Sequence, residues 1–136
     1  MRYDIFYITT ILFFTSCLYL DKSYVDIERT YYNNGILKME IEKIAGKLNG
    51  KSKFFDQSSN LISIANYSQN ILHGNWEEYY KNGIIKYKVL YNYGFKHGTE
   101  IRYYENGNIK SETRYNNGDI ISETLRWDNE GNIIYK

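Results

Sequence analysis

The feature of this 136-residue chain that most constrains its fold is a 24-residue repeat, which runs from about residue 26 to the C-terminus. Glycine recurs at this spacing in three columns, and Ser59, Asn70 and Ser122 fill the slots where glycine is missing. The glycine columns are Gly35, Gly83, Gly107 and Gly131; Gly46, Gly94 and Gly118; and Gly50, Gly74 and Gly98. A fixed period of roughly 20 to 50 residues is typical of architectures in which one small supersecondary unit is copied and stacked.

Aromatic and aliphatic residues keep the same spacing. One aromatic column contains Tyr31, Phe55, Tyr79, Tyr103 and Trp127, and another contains Tyr67, Tyr91 and Tyr115. The aliphatic column contains Leu37, Leu61, Ile85, Ile109 and Ile133. These columns predict one repeat domain over residues 26–136, with units 26–49, 50–73, 74–97, 98–121 and 122–136.

Each unit divides into two strand-like runs. In the third unit, Trp76–Tyr80 and Ile85–Tyr91 show the period-two alternation of a half-buried strand. Asn82 and Gly83 separate these runs, and Asn-Gly is a strong hairpin signal because both residues tolerate a positive φ. The chain has no proline that would interrupt a sheet. We therefore predict an all-β fold, an elongated single-layer antiparallel meander of about five 24-residue hairpins.

Glycines of two columns are expected to form the turns of this meander. The predicted turn glycines are Gly35, Gly83, Gly94, Gly107, Gly118 and Gly131. The second unit departs most from the pattern, because Ser58 and Ser59 replace Asn-Gly there. We expect a looser turn in which Ser59 relaxes away from positive φ. Asn70 is a milder replacement, since asparagine can occupy the left-handed region.

The N-terminus has the layout of a secretory signal. Residues 5–16 form an apolar run behind Met1 and Arg2, and the run ends in small residues directly before Cys17. The sequence FTSC at this point resembles a bacterial lipobox, where the cysteine receives a diacylglycerol and the signal peptidase cleaves before it. Cys17 is the only cysteine, so the chain cannot contain an internal disulfide framework.

We accordingly interpret residues 1–16 as a lipoprotein-type signal peptide that forms a hydrophobic helix. Residues 17–25 then comprise the lipidated cysteine and a tether, which predicts a protein anchored in the bacterial cell envelope, periplasmic or surface-facing. An uncleaved N-terminal anchor helix is the alternative, although Ile5–Leu20 is shorter than the roughly 20 residues that a spanning helix needs. A buried core helix would fit a β-repeat architecture poorly.

The third unit carries a family resemblance. The pattern G-x-W-x-x-Y-Y-x-N-G-x-x-K, followed by Y-x-x-G-x-x-H-G, resembles the MORN-variant repeat of bacterial YwqK-family antitoxins. The resemblance covers about residues 26–136; it is strongest in 74–121 and weakest in 50–73. It implies stacked hairpins and a binding role rather than catalysis. The implied function is a protein-binding envelope module, an antitoxin or immunity protein whose partner is a toxin or an envelope protein. The alternative is an adhesin-like envelope scaffold that binds host or envelope ligands.

The aromatic columns are the candidate binding surface. Their rings can pack on one another in a thin sheet, or form an exposed groove for a peptide, a glycan or a partner's edge. The two interpretations are compatible if the rings on one face pack together and those on the other face are exposed to a partner. The candidate binding residues are Trp76, Tyr79, Tyr80, Tyr91, Tyr103, Tyr104, Tyr115 and Trp127.

Composition and spacing argue against three other classes of function. With 17 basic and 16 acidic residues, the chain has a net charge of +1 and no basic stripe for nucleic acid. His73 and His97 lie one unit apart, about 10 Å along a sheet, which is too far for one metal ion. No residues form a catalytic motif. We therefore expect neither an enzyme nor a cofactor or metal site.

An open meander leaves one free strand at each end. These free strands are expected near Ile27–Tyr32 and Ile133–Lys136. Unpaired backbone groups on such strands invite pairing with another chain. The sequence therefore predicts a protein partner, with self-association through the sheet edges as the competing outcome.

Replacement of Cys17 by alanine tests the lipoprotein interpretation. The Cys17→Ala variant should lose metabolic labelling with a fatty-acid probe and should no longer fractionate with membranes, because no thiol remains for lipidation. Ser23→Ala, which lies beyond the lipobox-like segment, serves as the control and should keep the label. Undiminished labelling of Cys17→Ala would refute the interpretation.

Overall fold

The computed structural model describes residues 24–135. The predicted signal peptide, Cys17 and nearly all of the tether lie outside the described residues. Within residues 24–135 the chain is all-β, and no helix there is long and apolar enough to cross a membrane. The strands are β1 (Val25–Tyr31), β2 (Leu37–Ile44), β3 (Lys47–Phe55), β4 (Leu61–Ser68), β5 (Ile71–Tyr79), β6 (Ile85–Asn92), β7 (Phe95–Tyr103), β8 (Ile109–Asn116), β9 (Asp119–Ile120) and β10 (Leu125–Arg126).

The ten strands form one open antiparallel sheet. Its order is β1-β2-β3-β4-β5-β6-β7-β8-β10, and β9 also pairs with β8. Each strand pairs only with its neighbours in this order, as expected for a meander of hairpins. The all-β, single-layer antiparallel fold predicted from the repeat is confirmed.

Two kinds of turn alternate along the chain and lie at opposite ends of the strands. The first kind follows β5, where the Gly83 amide donates to the Tyr80 carbonyl at 2.9 Å and the Tyr80 amide donates to the Ile84 carbonyl at 2.8 Å. Only Gly83 has a positive φ, 81°, as in a three-residue loop that closes with a glycine bulge. Asn82 contributes its side chain instead, because its Oδ1 accepts from the Ile84 amide at 3.0 Å.

The second kind of turn has two residues, both with positive φ, the geometry of a type I′ hairpin. The pairs are Ala45-Gly46, Gln69-Asn70, Tyr93-Gly94 and Asn117-Gly118. The left-handed conformation expected for Asn70 is confirmed by its φ of 69°. The glycines predicted to form turns therefore belong to two geometries, and the Asn-Gly pair at 82–83 is not the type I′ one.

The expected relaxation of Ser59 is wrong. Ser59 keeps a φ of 66°, and its amide donates to the Asp56 carbonyl at 3.1 Å, as in the glycine-containing turns. Asp56 holds this conformation, because its Oδ1 accepts from the amides of Ser58 at 2.8 Å and Asn60 at 2.9 Å. The carboxylate thus offsets the strain of a non-glycine residue in the left-handed region.

The third glycine column lies inside strands rather than in turns. Gly50, Gly74 and Gly98 have φ values of 108°, 106° and 74°, and they pair with Tyr67, Tyr91 and Tyr115 in the next strand. A positive φ inside a strand goes with a bulge, and a side chain at two of these positions would meet a neighbour, Glu42 at Gly50 and Asn66 at Gly74.

The fifth unit shows what happens without this glycine. Ser122 occupies the slot, and the strand divides there into β9 and β10, which both pair with β8. The Ser122 Oγ instead accepts from the Arg114 amide at 3.1 Å. Beyond β10, a single bridge between Trp127 and Ile133 takes the place of the second strand that the other units have.

The sheet buries one face more than the other. Face A is defined here as the face that carries Trp76 and Val89, and face B as the face that carries Glu77 and Lys88. Since paired residues share a face, the register assigns all buried side chains among the described residues to face A. They are Ile41, Ser52, Ala65, Tyr87, Val89, Glu100 and Thr113. The core is therefore one row of side chains along the middle of face A.

Substitutions at equivalent turn positions should change stability in opposite directions. Gly107 has a φ of 90°, so Gly107→Val should lower the free energy of unfolding by about 1–3 kcal/mol. Ser59→Gly should raise it, because the same turn is then formed without strain. Urea denaturation followed by circular dichroism measures both. A neutral Gly107→Val variant would contradict the turn geometry.

Candidate functional site

The eight aromatic residues predicted to bind do not form one surface. Register assigns Trp76, Tyr80, Tyr91, Tyr104 and Tyr115 to face A, and Tyr79, Tyr103 and Trp127 to face B. The two sets have different neighbours and different uses.

On face B the aromatic and aliphatic columns form one continuous ladder. The pairs in register are Tyr31–Leu37, Phe55–Leu61, Tyr79–Ile85, Tyr103–Ile109 and Trp127–Ile133. Charged residues border it: Tyr79 donates to Glu77 at 2.5 Å, and the Lys88 Nζ lies 5.5 Å from the centre of the Tyr103 ring. Burial and the bond to Glu77 raise the pKa of Tyr79 to about 12, so this hydroxyl stays protonated at neutral pH. The ladder is half-buried in the middle of the sheet and exposed at its two ends.

At the turns on face A, tyrosine hydroxyls join successive units. Tyr80 donates to the Tyr103 carbonyl at 2.8 Å, and Tyr104 donates to the Trp127 carbonyl at 2.9 Å. Tyr32 makes the equivalent bond to the next unit. The polar ends of these tyrosines are thus used inside the protein, and only the rings remain for a partner.

The centre of face A contains aromatic rings and polar atoms without partners. The rings of Trp76 and Tyr91 lie 5.7 Å apart, tilted by 32°. The Trp76 Nε1 and the Ser52 Oγ are buried and have no hydrogen-bond partner among the described residues. Ala65 separates them in the register, so both polar atoms lie in the same row.

A charged cluster that the sequence did not predict lies further along face A. Glu100 is only 6% exposed, and its Oε2 accepts from the Lys96 Nζ at 2.5 Å and the Tyr87 hydroxyl at 3.1 Å. Its Oε1 accepts from the Arg102 Nε at 3.1 Å. The Lys96 Nζ also lies 5.0 Å from the centre of the Tyr115 ring. Both oxygens of the buried carboxylate are therefore satisfied.

This cluster changes the protonation of its members. Burial alone would raise the pKa of Glu100, but the hydrogen bond and charge of Lys96, with the charge of Arg102, hold it below the ordinary value. Burial raises the pKa of Tyr87 to about 12. For Lys96, burial acts in the opposite direction, yet the bonds to Glu100 and Tyr87 raise its pKa. The cluster is fixed as carboxylate, ammonium and neutral phenol at neutral pH.

The histidines do not converge on a site. His73 lies against Tyr93, with ring centroids 4.7 Å apart, and the Nδ1 atom of His97 is buried without a partner among residues 24–135. Over the same range no three side chains of His, Cys, Asp or Glu come together in a way that could hold a metal ion.

Comparison with known families assigns the repeat. Residues 48–69, 72–93 and 96–117 match the family described as MORN repeat variant. The matched segments begin 24 residues apart, and each spans one hairpin: β3–β4, β5–β6 or β7–β8. Fold and repeat together define a β-hairpin repeat protein. The chain carries three recognisable MORN-variant repeats, which are generally protein- or membrane-binding modules. Comparison with curated proteins gives no match.

Removal of the Glu100 charge should lower stability and its dependence on pH. The pKa of Glu100 is lower in the folded than in the unfolded chain, so its stabilisation is present above the unfolded value, about 4.5, and is lost as pH falls through the folded one. At pH 7, Glu100→Gln should lower the free energy of unfolding by about 1–3 kcal/mol, because Lys96 loses its acceptor.

Glu112→Gln is the matched control, since Glu112 lies on face B of the neighbouring strand. It should change stability by less than about 0.5 kcal/mol. Urea denaturation at several pH values between about 3 and 7 measures both variants. An acid dependence that survives unchanged in Glu100→Gln would contradict the assignment.

Proposed function

We propose that this chain is a non-catalytic protein-binding module of the bacterial cell envelope that acts as an antitoxin or immunity protein. The observation that carries the proposal is an exposed apolar surface at the C-terminal end of the sheet. Its residues, termed here the apolar end, are Ile120, Ile121, Leu125, Ile133, Ile134 and Tyr135. Their exposed fractions range from 46% for Ile133 to 85% for Tyr135. Leu125, Ile133, Ile134 and Tyr135 line one surface groove, and exposed apolar patches of this kind mark sites of interaction.

Backbone pairing at this end supports a protein as the partner. β10 contains two residues, and beyond it only the bridge between Trp127 and Ile133 continues the sheet. The unpaired backbone groups can accept an extended segment of another chain. A toxin or an envelope protein can supply both the strand and the apolar side chains.

The opposite edge is a poorer candidate. β1 carries Asp26, Glu28 and Arg29, and charges on an edge strand oppose pairing with a second chain. Two of these charges are already paired within the sheet, Glu28 with Lys43 and Arg29 with Glu40. Self-association through both edges is therefore the less favoured outcome.

The envelope location of the module rests on the N-terminal sequence. A lipid on Cys17, followed by the tether, would hold the repeat domain close to the membrane surface. A toxin that acts on the membrane or in the envelope would then meet its antitoxin where it acts. The similarity to the repeat of YwqK-family antitoxins supports this role.

The second candidate function is an adhesin-like envelope scaffold, and the ladder on face B favours it. Five aromatic–aliphatic pairs in register form a long strip, which is half-buried in its middle and exposed at its ends. A strip of this shape suits an extended ligand such as a glycan. Such a strip would bind along the sheet rather than at its end. The location of the binding surface therefore separates the two functions.

A double substitution in the apolar end tests the antitoxin proposal. The reading frames beside its gene are expressed one at a time, and any frame that stops growth is co-expressed with the full chain. Wild type should restore growth, whereas Leu125→Asp/Ile134→Asp should fail, because two charges in a buried interface weaken binding by on the order of 30-fold or more. Leu90→Asp, on face B and 39% exposed, is the control and should protect.

Circular dichroism must show that all variants fold equally. Full protection by the folded double variant would contradict binding at the apolar end. Absence of a toxic neighbouring frame, together with a glycan or envelope ligand that shifts residues of the face B ladder, would favour the scaffold.

A further inference from the structure

A pocket of about 480 Å³ lies on face A where β7, β8 and β10 meet. The contact between Trp76 and Tyr91 on face A does not involve this pocket, and the face B ladder meets it only at Trp127. It is termed here the basic pocket, and its lining residues are Glu100, Arg102, Tyr104, Lys110, Ser111, Thr113, Thr124, Arg126, Trp127 and Ile134.

Two arginines face each other across this pocket. Arg102 and Arg126 both pair with Ser111, one from each neighbouring strand, so all three side chains lie on the same face. Strands lie about 4.8 Å apart, which separates the two arginine backbones by about 10 Å, with the serine hydroxyl between them. This spacing leaves room for one small anionic group that contacts both guanidinium groups.

The positive charge of the pocket is not neutralised within the described residues. Its lining holds three cations, Arg102, Lys110 and Arg126, against one acid, Glu100. Both oxygens of Glu100 are already engaged, and the guanidinium of Arg102 meets it only through Nε. Arg126 has no ion pair with any residue of 24–135.

Asp128, in the turn that follows Trp127, is not among the residues that line the pocket. Asp128 is used by its own turn, because its Oδ1 accepts from the amides of Glu130 at 2.9 Å and Asn132 at 2.8 Å. Its Oδ2 accepts from the Asn132 side chain at 3.0 Å. The residues that line the pocket therefore include more cations than anions.

The basic pocket is continuous with the apolar end. Thr124, Arg126 and Ile134 line both the pocket and the groove that also contains Leu125 and Tyr135. A chain that lies along the apolar end thus passes over the arginine pair. The exposed strand edge offers it backbone hydrogen bonds, which a free phosphate or a lipid headgroup cannot exchange in a ladder.

We propose that the basic pocket binds an aspartate or glutamate side chain of the protein partner, flanked by apolar residues that cover Leu125 and Ile134. The inference deepens the proposed function and rests on it in one respect, that the partner is a protein. Arg102 and Arg126 hold the carboxylate, the Ser111 hydroxyl donates to it, and Lys110 adds long-range attraction. The acidic residue selects the partner, and the apolar end supplies contact area.

Nuclear magnetic resonance of backbone amides tests this inference on the full chain in detergent micelles. The backbone of Trp127 lines the pocket, since its amide donates to the Lys110 carbonyl at 3.1 Å, although its indole lies on face B. Trp76 lies in the centre of face A, and its backbone amide serves as the internal control. The probe is the peptide acetyl-Gly-Ile-Glu-Ile-Glu-Ile-Gly-amide. It should shift the Trp127 signal and leave Trp76 unchanged, and the same peptide with Gln in place of Glu should bind at least about tenfold more weakly.

Substitutions locate the effect. Arg102→Gln and Arg126→Gln should each weaken binding of the Glu peptide by about fivefold to tenfold, because one of the two guanidinium groups that hold the carboxylate is lost. Arg114→Gln is the matched control; Arg114 is an exposed arginine of β8 that pairs with Thr99 and lies on face B. It should leave the peptide affinity unchanged.

Three results would overturn the inference: equal binding of the Gln peptide, equal binding by the Arg102→Gln and Arg126→Gln variants, or a larger Trp127 shift with inorganic phosphate or phosphatidylglycerol vesicles. Failure here is distinguishable from failure of the proposed function. If toxin protection depends on the apolar end but survives Arg102→Gln and Arg126→Gln, the function stands and the carboxylate site is wrong.

Discussion

The structure depends on backbone hydrogen bonding between successive hairpins, because residues 24–135 form a single sheet with no second layer to bury their side chains. That pairing requires the chain to reverse direction twice in every 24 residues, with the same two turn geometries in each unit, which demands a positive φ at fixed positions. The repeat enforces this at both ends of the strands: glycine or a carboxylate-supported serine in one row of turns, and type I′ pairs in the other. Side-chain bonds such as Tyr80 to Tyr103 then join one unit to the next.

Position within the repeat, more than composition, determines what a residue does. A tyrosine at the start of a turn becomes a link between units, whereas the tyrosine just before it joins the face B ladder, as Tyr104 and Tyr103 show. The two tyrosines are adjacent in the sequence, but their side chains lie on opposite faces of the sheet. The same logic allows the middle row of face A to change from Ala65 and Val89 to Glu100 and Thr113 without a change of fold.

The 24-residue repeat made the fold predictable from the sequence. The basic pocket could not be predicted, because it depends on the register between strands. Period, turn signals and alternation were enough for the hairpins and their order, since each strand pairs with a sequence neighbour. The prediction that Ser59 leaves the positive-φ region was wrong, because the Asp56 side chain holds that turn in place. The spacing of glycines in the sequence gives no sign of this side-chain contact. The arginine pair across Ser111 joins residues from three strands, and only the exact register, including its bulges, brings Arg102 and Arg126 to one face.

Since each hairpin touches only its neighbours, the sheet behaves as a one-dimensional object with adjustable length. Gain or loss of one 24-residue copy by unequal recombination would move the C-terminal end by two strand widths, about 10 Å, and leave every other contact intact. Residue 122 already lacks the glycine that keeps the strand whole, so growth is easiest upstream of it. The number of copies would then set the distance between the first and the last strand of the sheet.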